Sequence, residues 1–246
     1  MFPLRDNNLT RARPLFTLAL IAVNLIVFFA WQPSAFWLPD PQLADAERQQ
    51  AFLFAHAVVP CEIAQGQPLD TRERLSGLCS DTPGIPENPE KNIYAAVLIS
   101  LFLHGSLFHI ASNMWFLWIF GNNMEEALGR LRYLGFYLVG GVVATLAFIL
   151  LQADKAVPLV GASGAIAAVL GGYLALFPTR RIIGLVGVWP VPVPAALFLG
   201  LWFFGQFAMQ EPNVAWQAHA AGFAFGFLVT FMMRAPLRAR LRRLHF

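Results

Sequence analysis

The chain has 246 residues, 57% of them hydrophobic and only 13% charged, with a net charge of +3 and a mean hydropathy of +0.57. A soluble domain of this size carries about 25% charged and about 45–50% apolar residues. A disordered chain, a disulfide scaffold and an ordinary soluble enzyme are therefore poor fits. A membrane-spanning helix takes about 20 residues, so six would use roughly 120, about half the chain. The composition predicts a single integral membrane domain, all-α, with room for one large loop.

The first apolar run is Leu15 to Trp31, preceded by Arg11, Arg13 and Pro14. Its core is long and no small-x-small cleavage site follows, so it reads as a retained helix rather than a signal peptide. Pro, Asp, Glu and Gln dominate from Gln32 to about Asn92, with nine acidic residues against four basic ones. That segment reads as a large loop with short structure around Ala44–Val59. Apolar character returns at Ile93. Tyr94–Leu103 is expected at the interface, and a second helix over about Ser106–Met124. Further helices are expected over Tyr133–Leu151, Pro158–Phe177, about Val191–Met209 and Val214–Met233. The intervening segments Glu125–Arg132, Gln152–Val157, Pro178–Pro190 and Gln210–Asn213 read as short loops. The resulting plan is a cytoplasmic segment 1–14, a six-helix membrane domain 15–235 whose first loop is 32–105, and a basic tail 236–246.

Six spans put both termini on one side, and the basic residues say which. Arg5, Arg11 and Arg13, Arg130 and Arg132, Arg180 and Arg181, and the tail arginines 234, 238, 240, 242 and 243 all fall on the termini's side. Lys155 is almost alone among short-loop cations on the other. The positive-inside rule thus makes both termini cytoplasmic. The basic tail reads as an anchor beside anionic lipid rather than a nucleic-acid arm. A cell membrane is expected, a bacterial inner membrane in particular. Cys61 and Cys79 both lie in the long outer loop and can close a disulfide there, two free thiols being the alternative.

Polar groups inside a membrane are costly and mark function. His109 and Asn113 are spaced i,i+4 and share a face of the second helix. The fourth helix opens Gly161-Ala162-Ser163-Gly164. The sixth carries Ala218-His219-Ala220-Ala221-Gly222-Phe223-Ala224-Phe225-Gly226. Each has a plainer explanation: hydrogen-bonded glue, a helix cap, a small-residue packing face. Together they describe a reaction centre. Gly222 and Gly226 share a face with His219 and let a neighbouring helix come close. Gly161 and Gly164 are expected to thin the partner helix beside Ser163. Ser163 at a helix start has first-turn N–H groups free to meet developing negative charge, and His109 and Asn113 can add donors. No Asp or Glu lies inside a helix to orient the histidine, which predicts a Ser–His dyad held by packing alone. The zinc motif H-E-x-x-H, paired intramembrane aspartates and the G-x-S-x-G elbow (residue 165 is Ala) are all missing. No metal and no cofactor is expected.

These three motifs, with His104-Gly105-Ser106-Leu107-Phe108-His109-Ile110-Ala111-Ser112-Asn113 for the first, resemble the rhomboid family of intramembrane serine proteases. The resemblance covers about residues 15–235. It implies Ser163 as nucleophile, His219 as general base, and His109, Asn113 and the Ser163 N–H as the oxyanion site. Glu125 and Gly129 match a structural motif closing the second helix. Two positions depart from the family: Ala95 and Ala96 stand where many bacterial relatives carry Trp-Arg, and Ala167 where some stack an aromatic ring on the histidine. The resemblance implies transmembrane protein substrates, cut near the outer surface. Trp202, Phe203, Phe204 and Phe207 are expected to plug a lateral gate between the second and fifth helices, an interfacial aromatic belt being the alternative, and Pro190, Pro192 and Pro194 are expected to interrupt the inner end of the fifth. The alternatives are an inactive client-binding relative, which would be expected to lack Ser163 or His219, and a small transporter, which would more often show repeats or a carboxylate relay.

Overall fold

The computed structural model describes residues 2–8, 10–36, 43–208 and 214–245. The protein is mostly helical. Eleven α-helices are described: α1 Leu15–Ile26, α2 Leu43–His56, α3 Pro60–Gln65, α4 Thr71–Ser76, α5 Ala95–Ile99, α6 Leu107–Leu128, α7 Arg130–Leu151, α8 Ser163–Leu176, α9 Ala195–Ala208, α10 Trp216–Met232 and α11 Arg234–His245. A π-helical turn, Val27–Trp31, extends α1. The segment 210–213, expected as a loop, lies outside the described residues.

The all-helical expectation needs one correction. Strands β1 Phe2–Asp6, β2 Arg181–Val186 and β3 Trp189–Pro194 form an antiparallel sheet in the order β1-β2-β3. Ile182, Ile183, Val191 and Val193 supply the β-branched residues that favour a pleated surface, and Ile182 and Val193 are buried. Gly187, at φ 61°, opens the two-residue turn joining β2 to β3. Pro190, Pro192 and Pro194 therefore sit in a strand and do not interrupt a helix. β3 is an edge strand, where a missing N–H is tolerated.

By length and composition, one helix among the described residues can cross a membrane, Arg130–Leu151, or up to three if each sharply bent helix pair is one span. Leu15–Trp31, Ser163–Leu176 and Ala195–Ala208 are shorter apolar helices. α8 and α9 have 14 residues each, about 21 Å at 1.5 Å per residue. The basic tail is not extended chain: Arg234–His245 is helical and bends 73° from α10.

Contacts divide the chain into two units. The first comprises Met1–Ala22, Ser112–Ala144 and Ser163–Phe246. Here α8 is buried along nearly its whole length and packs most closely on α10. Two carboxylates near the end of α6 tie down the N-terminal segment. Glu125 accepts from the Phe16 and Thr17 N–H groups and the Thr17 hydroxyl at 2.8–3.0 Å, capping the open start of α1. Glu126 accepts from the Arg11 and Ala12 N–H groups and pairs with His245 Nε2 at 2.9 Å. The Gly129 N–H bonds the Glu125 carbonyl at 2.8 Å where α6 ends. Asp6 accepts from Asn123 Nδ2 at 2.7 Å and the Tyr173 hydroxyl at 2.9 Å.

The second unit comprises Val23–Ala111 and Thr145–Ala162. Most of it falls in the segment 32–105 that composition reads as a large loop, and it holds buried clusters of its own. Phe54, Val59, Cys61, Leu69 and Ala156 form a buried cluster against Cys79, and Val58, Ala96 and Ile149 form another. Ala96 is 1% exposed. Cys61 and Cys79 are joined in a disulfide, with Cα atoms 5.5 Å apart. Asp70 and Glu73 form a capping box at the start of α4. Amide donors from Glu73 and Gly84 hold the Asp70 carboxyl below its ordinary range. Glu62 and Lys91 pair at 2.6 Å with both side chains only 2% exposed. Burial pushes Glu62 up and Lys91 down, and each partner opposes that push on the other.

Candidate active site

Ser163 is the first residue of α8, so its own N–H and those of the first turn have no partner within the helix. Gly161 does not thin the helix, as the sequence suggested. It precedes α8 at φ 123°, a conformation that L side chains rarely adopt, and its N–H bonds the Ser100 carbonyl. Gly164 has the thinning role: a Cβ there would lie 2.7 Å from the Ala144 Cβ on α7. On α10 a Cβ at Gly222 would run into the Gly164 carbonyl, and one at Gly226 would lie 2.6 Å from the Ala168 carbonyl carbon. The small residues along both helices let the α8 and α10 backbones touch.

That contact brings the two expected reacting groups together. His219 Nε2 lies 2.8 Å from Ser163 Oγ. His219 Nδ1 lies 2.7 Å from Gln206 Oε1, contributed by α9. The expectation of a histidine held by packing alone missed Gln206. The signal was in the sequence, since Gln206 is a lone uncharged amide in the apolar run Ala195–Ala208. Trp202, one turn earlier on α9, lies with its ring centroid 6.1 Å from that of His219, tilted by 34°. An aromatic ring from α9 thus borders the histidine, although residue 167 is alanine. Both Ser163 and His219 are half-buried.

His109 and Asn113 both lie on α6. Asn113 belongs to the first unit, is 7% exposed, and its Nδ2 is a buried donor with no hydrogen-bond partner among the described residues. Such donors are rare enough in native structures to need a cause. His109 belongs to the second unit, where its Nδ1 accepts from the Gly105 N–H at 3.3 Å and its ring meets that of His104. An acceptor Nδ1 leaves the ring proton on Nε2, making that atom a donor. In the same unit Gln32 clamps the His104 backbone, accepting from its N–H at 2.9 Å and donating to its carbonyl at 2.8 Å.

The α9 aromatics divide. Trp202 and Phe203 pack on Phe223 of α10 at centroid distances of 5.9 and 4.8 Å, and Phe207 meets Trp216. Phe204 is 69% exposed. Among the described residues, one group has the closeness of metal ligands: Cys61, Glu73 and Cys79. Its two sulfurs are bonded to each other, which removes the thiolates a metal would need.

Sequence comparison fits this geometry. The chain is 34% identical over 98 residues to the presenilin-associated rhomboid-like protein, mitochondrial, of Homo sapiens, covering 39% of this chain and 26% of that protein. It is 31% identical over 157 residues to Rhomboid protein 1, mitochondrial, of Saccharomyces cerevisiae, covering 61% and 45%. It is 33% identical over 136 residues to RHOMBOID-like protein 4 of Arabidopsis thaliana, covering 54% and 32%. The matched stretch is less than half the length of each of these relatives. Two of the three are mitochondrial by name, and they give no support to a bacterial inner membrane. The rhomboid domain profile matches residues 91–236, which include Ser163, Gln206 and His219, and the chain belongs to the rhomboid family.

Proposed function

We propose that this protein is an intramembrane serine endopeptidase that hydrolyses peptide bonds in or near transmembrane segments of membrane proteins. The observation that carries the reading is the 2.8 Å approach of His219 Nε2 to Ser163 Oγ. A serine hydroxyl within hydrogen-bond reach of an oriented imidazole is an activated nucleophile. In acylation Oγ attacks the scissile carbonyl carbon while its proton passes to His219 Nε2. The tetrahedral intermediate collapses as the C–N bond breaks, and the imidazolium returns the proton to the leaving amine. Water then hydrolyses the acyl-enzyme by the same route.

The oxyanion of each intermediate needs donors. The reading gives that role to the Ser163 N–H at the start of α8 and to Asn113 Nδ2, a donor with no partner among the described residues, with His109 as the third donor that the family resemblance implies. The carboxylates Glu125 and Glu126 are occupied in tying down the N-terminal segment and take no part.

The reading includes six membrane crossings with both termini cytoplasmic, supported by the arginines that flank the apolar helices. The short α8 carries the nucleophile below one membrane surface, where both peptide and water reach it. α9 is the lateral gate through which a transmembrane substrate arrives. The substrates are transmembrane proteins and the second partner is the bilayer. The chemistry calls for neither nucleic acid nor a cofactor.

A fluorophosphonate probe tests the assignment on detergent-solubilised protein. The parent should be labelled at Ser163, and Ser163→Ala and His219→Ala should each lose labelling and cleavage of a membrane-spanning substrate while keeping the parental melting temperature. The double variant should be scarcely worse than either single one, because the dyad acts as a unit. Strong cleavage by Ser163→Ala sinks the reading.

A further inference from the structure

A neutral imidazole takes a proton from serine only in one of its two tautomers. With Nε2 facing Ser163 Oγ at 2.8 Å, the ring proton must sit on Nδ1, and something must hold it there. Nδ1 faces Gln206 Oε1 at 2.7 Å. A glutamine could present either end of its amide, and its NH2 end would select the wrong tautomer. Gln206 Nε2, however, donates to the Trp202 carbonyl at 3.2 Å, one turn back along α9. That bond engages the NH2 end and leaves Oε1 for His219, so the network assigns both the amide and the imidazole.

We infer that Gln206 is a positioning residue of the dyad, holding His219 in the tautomer and ring orientation in which Nε2 accepts the Ser163 proton. The inference rests on the reading of Ser163 as nucleophile and His219 as base. During acylation the proton that moves is the one from Ser163. The Nδ1–H stays on its nitrogen and bonded to Gln206 Oε1 throughout. A neutral amide orients the ring without lending it the full charge of a carboxylate, which separates this arrangement from an acid-bearing triad. It also links the base to α9, because the residue that fixes His219 and the aromatic ring beside it are on that one helix. Any movement of α9 that admits substrate must return Gln206 to His219 before chemistry proceeds.

The test uses the whole 246-residue chain in lipid vesicles, with cleavage of a membrane-spanning substrate and the fluorophosphonate labelling rate both followed against pH. A wrong partner for the histidine of a serine protease lowers kcat by about 10⁴. Gln206→Leu offers no partner rather than a wrong one, so kcat and labelling should fall about 10–100-fold with KM within about twofold. Gln206→Glu is nearly isosteric and still accepts from Nδ1–H. It should recover most of the rate, and its charge should move the acid limb of kcat/KM up by about one pH unit, which a purely structural role would not do. A Gln206→Leu variant at the parental rate, or a Gln206→Glu variant whose acid limb does not move, overturns the inference. If Gln206→Leu fails to fold, the limb of Gln206→Glu decides alone. Ser163→Ala run in parallel separates the two failures: residual cleavage there refutes the dyad, whereas a silent Ser163→Ala beside unaffected Gln206 variants refutes only the role of Gln206.

Discussion

Gly226→Ala tests the helix contact on which the site depends, without touching a reacting group. Gly226 lies two turns beyond His219 on α10. A Cβ there would sit 2.6 Å from the Ala168 carbonyl carbon and 2.7 Å from its Cα. Carbon atoms in ordinary contact stand about 3.5–4.0 Å apart. The neighbour is backbone in the middle of a buried helix, so it cannot swing aside, and α8 and α10 must part by about 1 Å. Ser163 and His219 ride on those two helices, 2.8 Å apart, and a separation of that size takes the pair out of hydrogen-bond range. Misplacement by about 1 Å costs about 10²-fold in rate, and overpacking costs about 1–3 kcal/mol of stability. The expected outcome is a folded protein with a lowered melting temperature, kcat down about a hundredfold, and labelling slowed in parallel. Gly135→Ala is the control, since nothing lies within 4 Å of its added Cβ. A Gly226→Ala variant with parental stability and kcat within about twofold of the parent would falsify the claim that close backbone approach sets the dyad.

Asn113→Ala should lower kcat by about 10²–10³ with little change in KM, as loss of one oxyanion donor does; an unchanged kcat makes the residue packing only. Cys61→Ser, or reduction of the parent, should destabilise the second unit by about 3 kcal/mol through loss of a closed loop, read as a lower melting temperature; equal melting curves with and without reductant refute this. Burial pushes the Asp6 carboxyl from 3.8 up to about 6, against hydrogen bonds from Tyr173 and Asn123 that lower it. The folded state then holds the proton more tightly than the unfolded one, so stability is greatest below pH 3.8 as far as this group is concerned, and falls as pH rises towards about 6. Asp6→Asn should flatten that part of the profile and gain up to about 3 kcal/mol at pH 8; unfolding curves that keep the parental pH slope between 4 and 6 contradict it. Phe204→Ala should speed cleavage of a membrane-spanning substrate about twofold or more and leave probe labelling unchanged, as a looser gate would; an equal or slower rate removes Phe204 from the gate.

Much of this protein is legible in its residues. Composition alone points to lipid. Three short motifs place Ser163, His219, His109 and Asn113 on helices, because an apolar run makes every polar residue conspicuous. The same rule applied to Gln206 would have found the partner of His219, but nothing local says which of two ring nitrogens it meets. The sheet was missed because the residues that pair between β1 and β2 lie 176 to 183 apart in the chain, Asp6 against Ile182 and Phe2 against Leu185, and short apolar runs such as Arg181–Val186 read equally as helix ends or loops.

What the sequence determined by itself was the set of reacting groups and the helices that carry them, since both follow from residue type and spacing along one element. What tertiary structure decided was everything that depends on two elements meeting. Gly226 is an ordinary small residue until the Ala168 carbonyl lies against it. The polar segment 43–92 is a loop by composition, but becomes a packed unit once Cys61, Leu69 and Phe54 find Ala156 from beyond α7. The tautomer of His219 is set by an amide on α9 whose own orientation is set by a carbonyl one turn back. Hydrogen bonds and close contacts act over about 3–4 Å, and only the fold determines which residues come within that range.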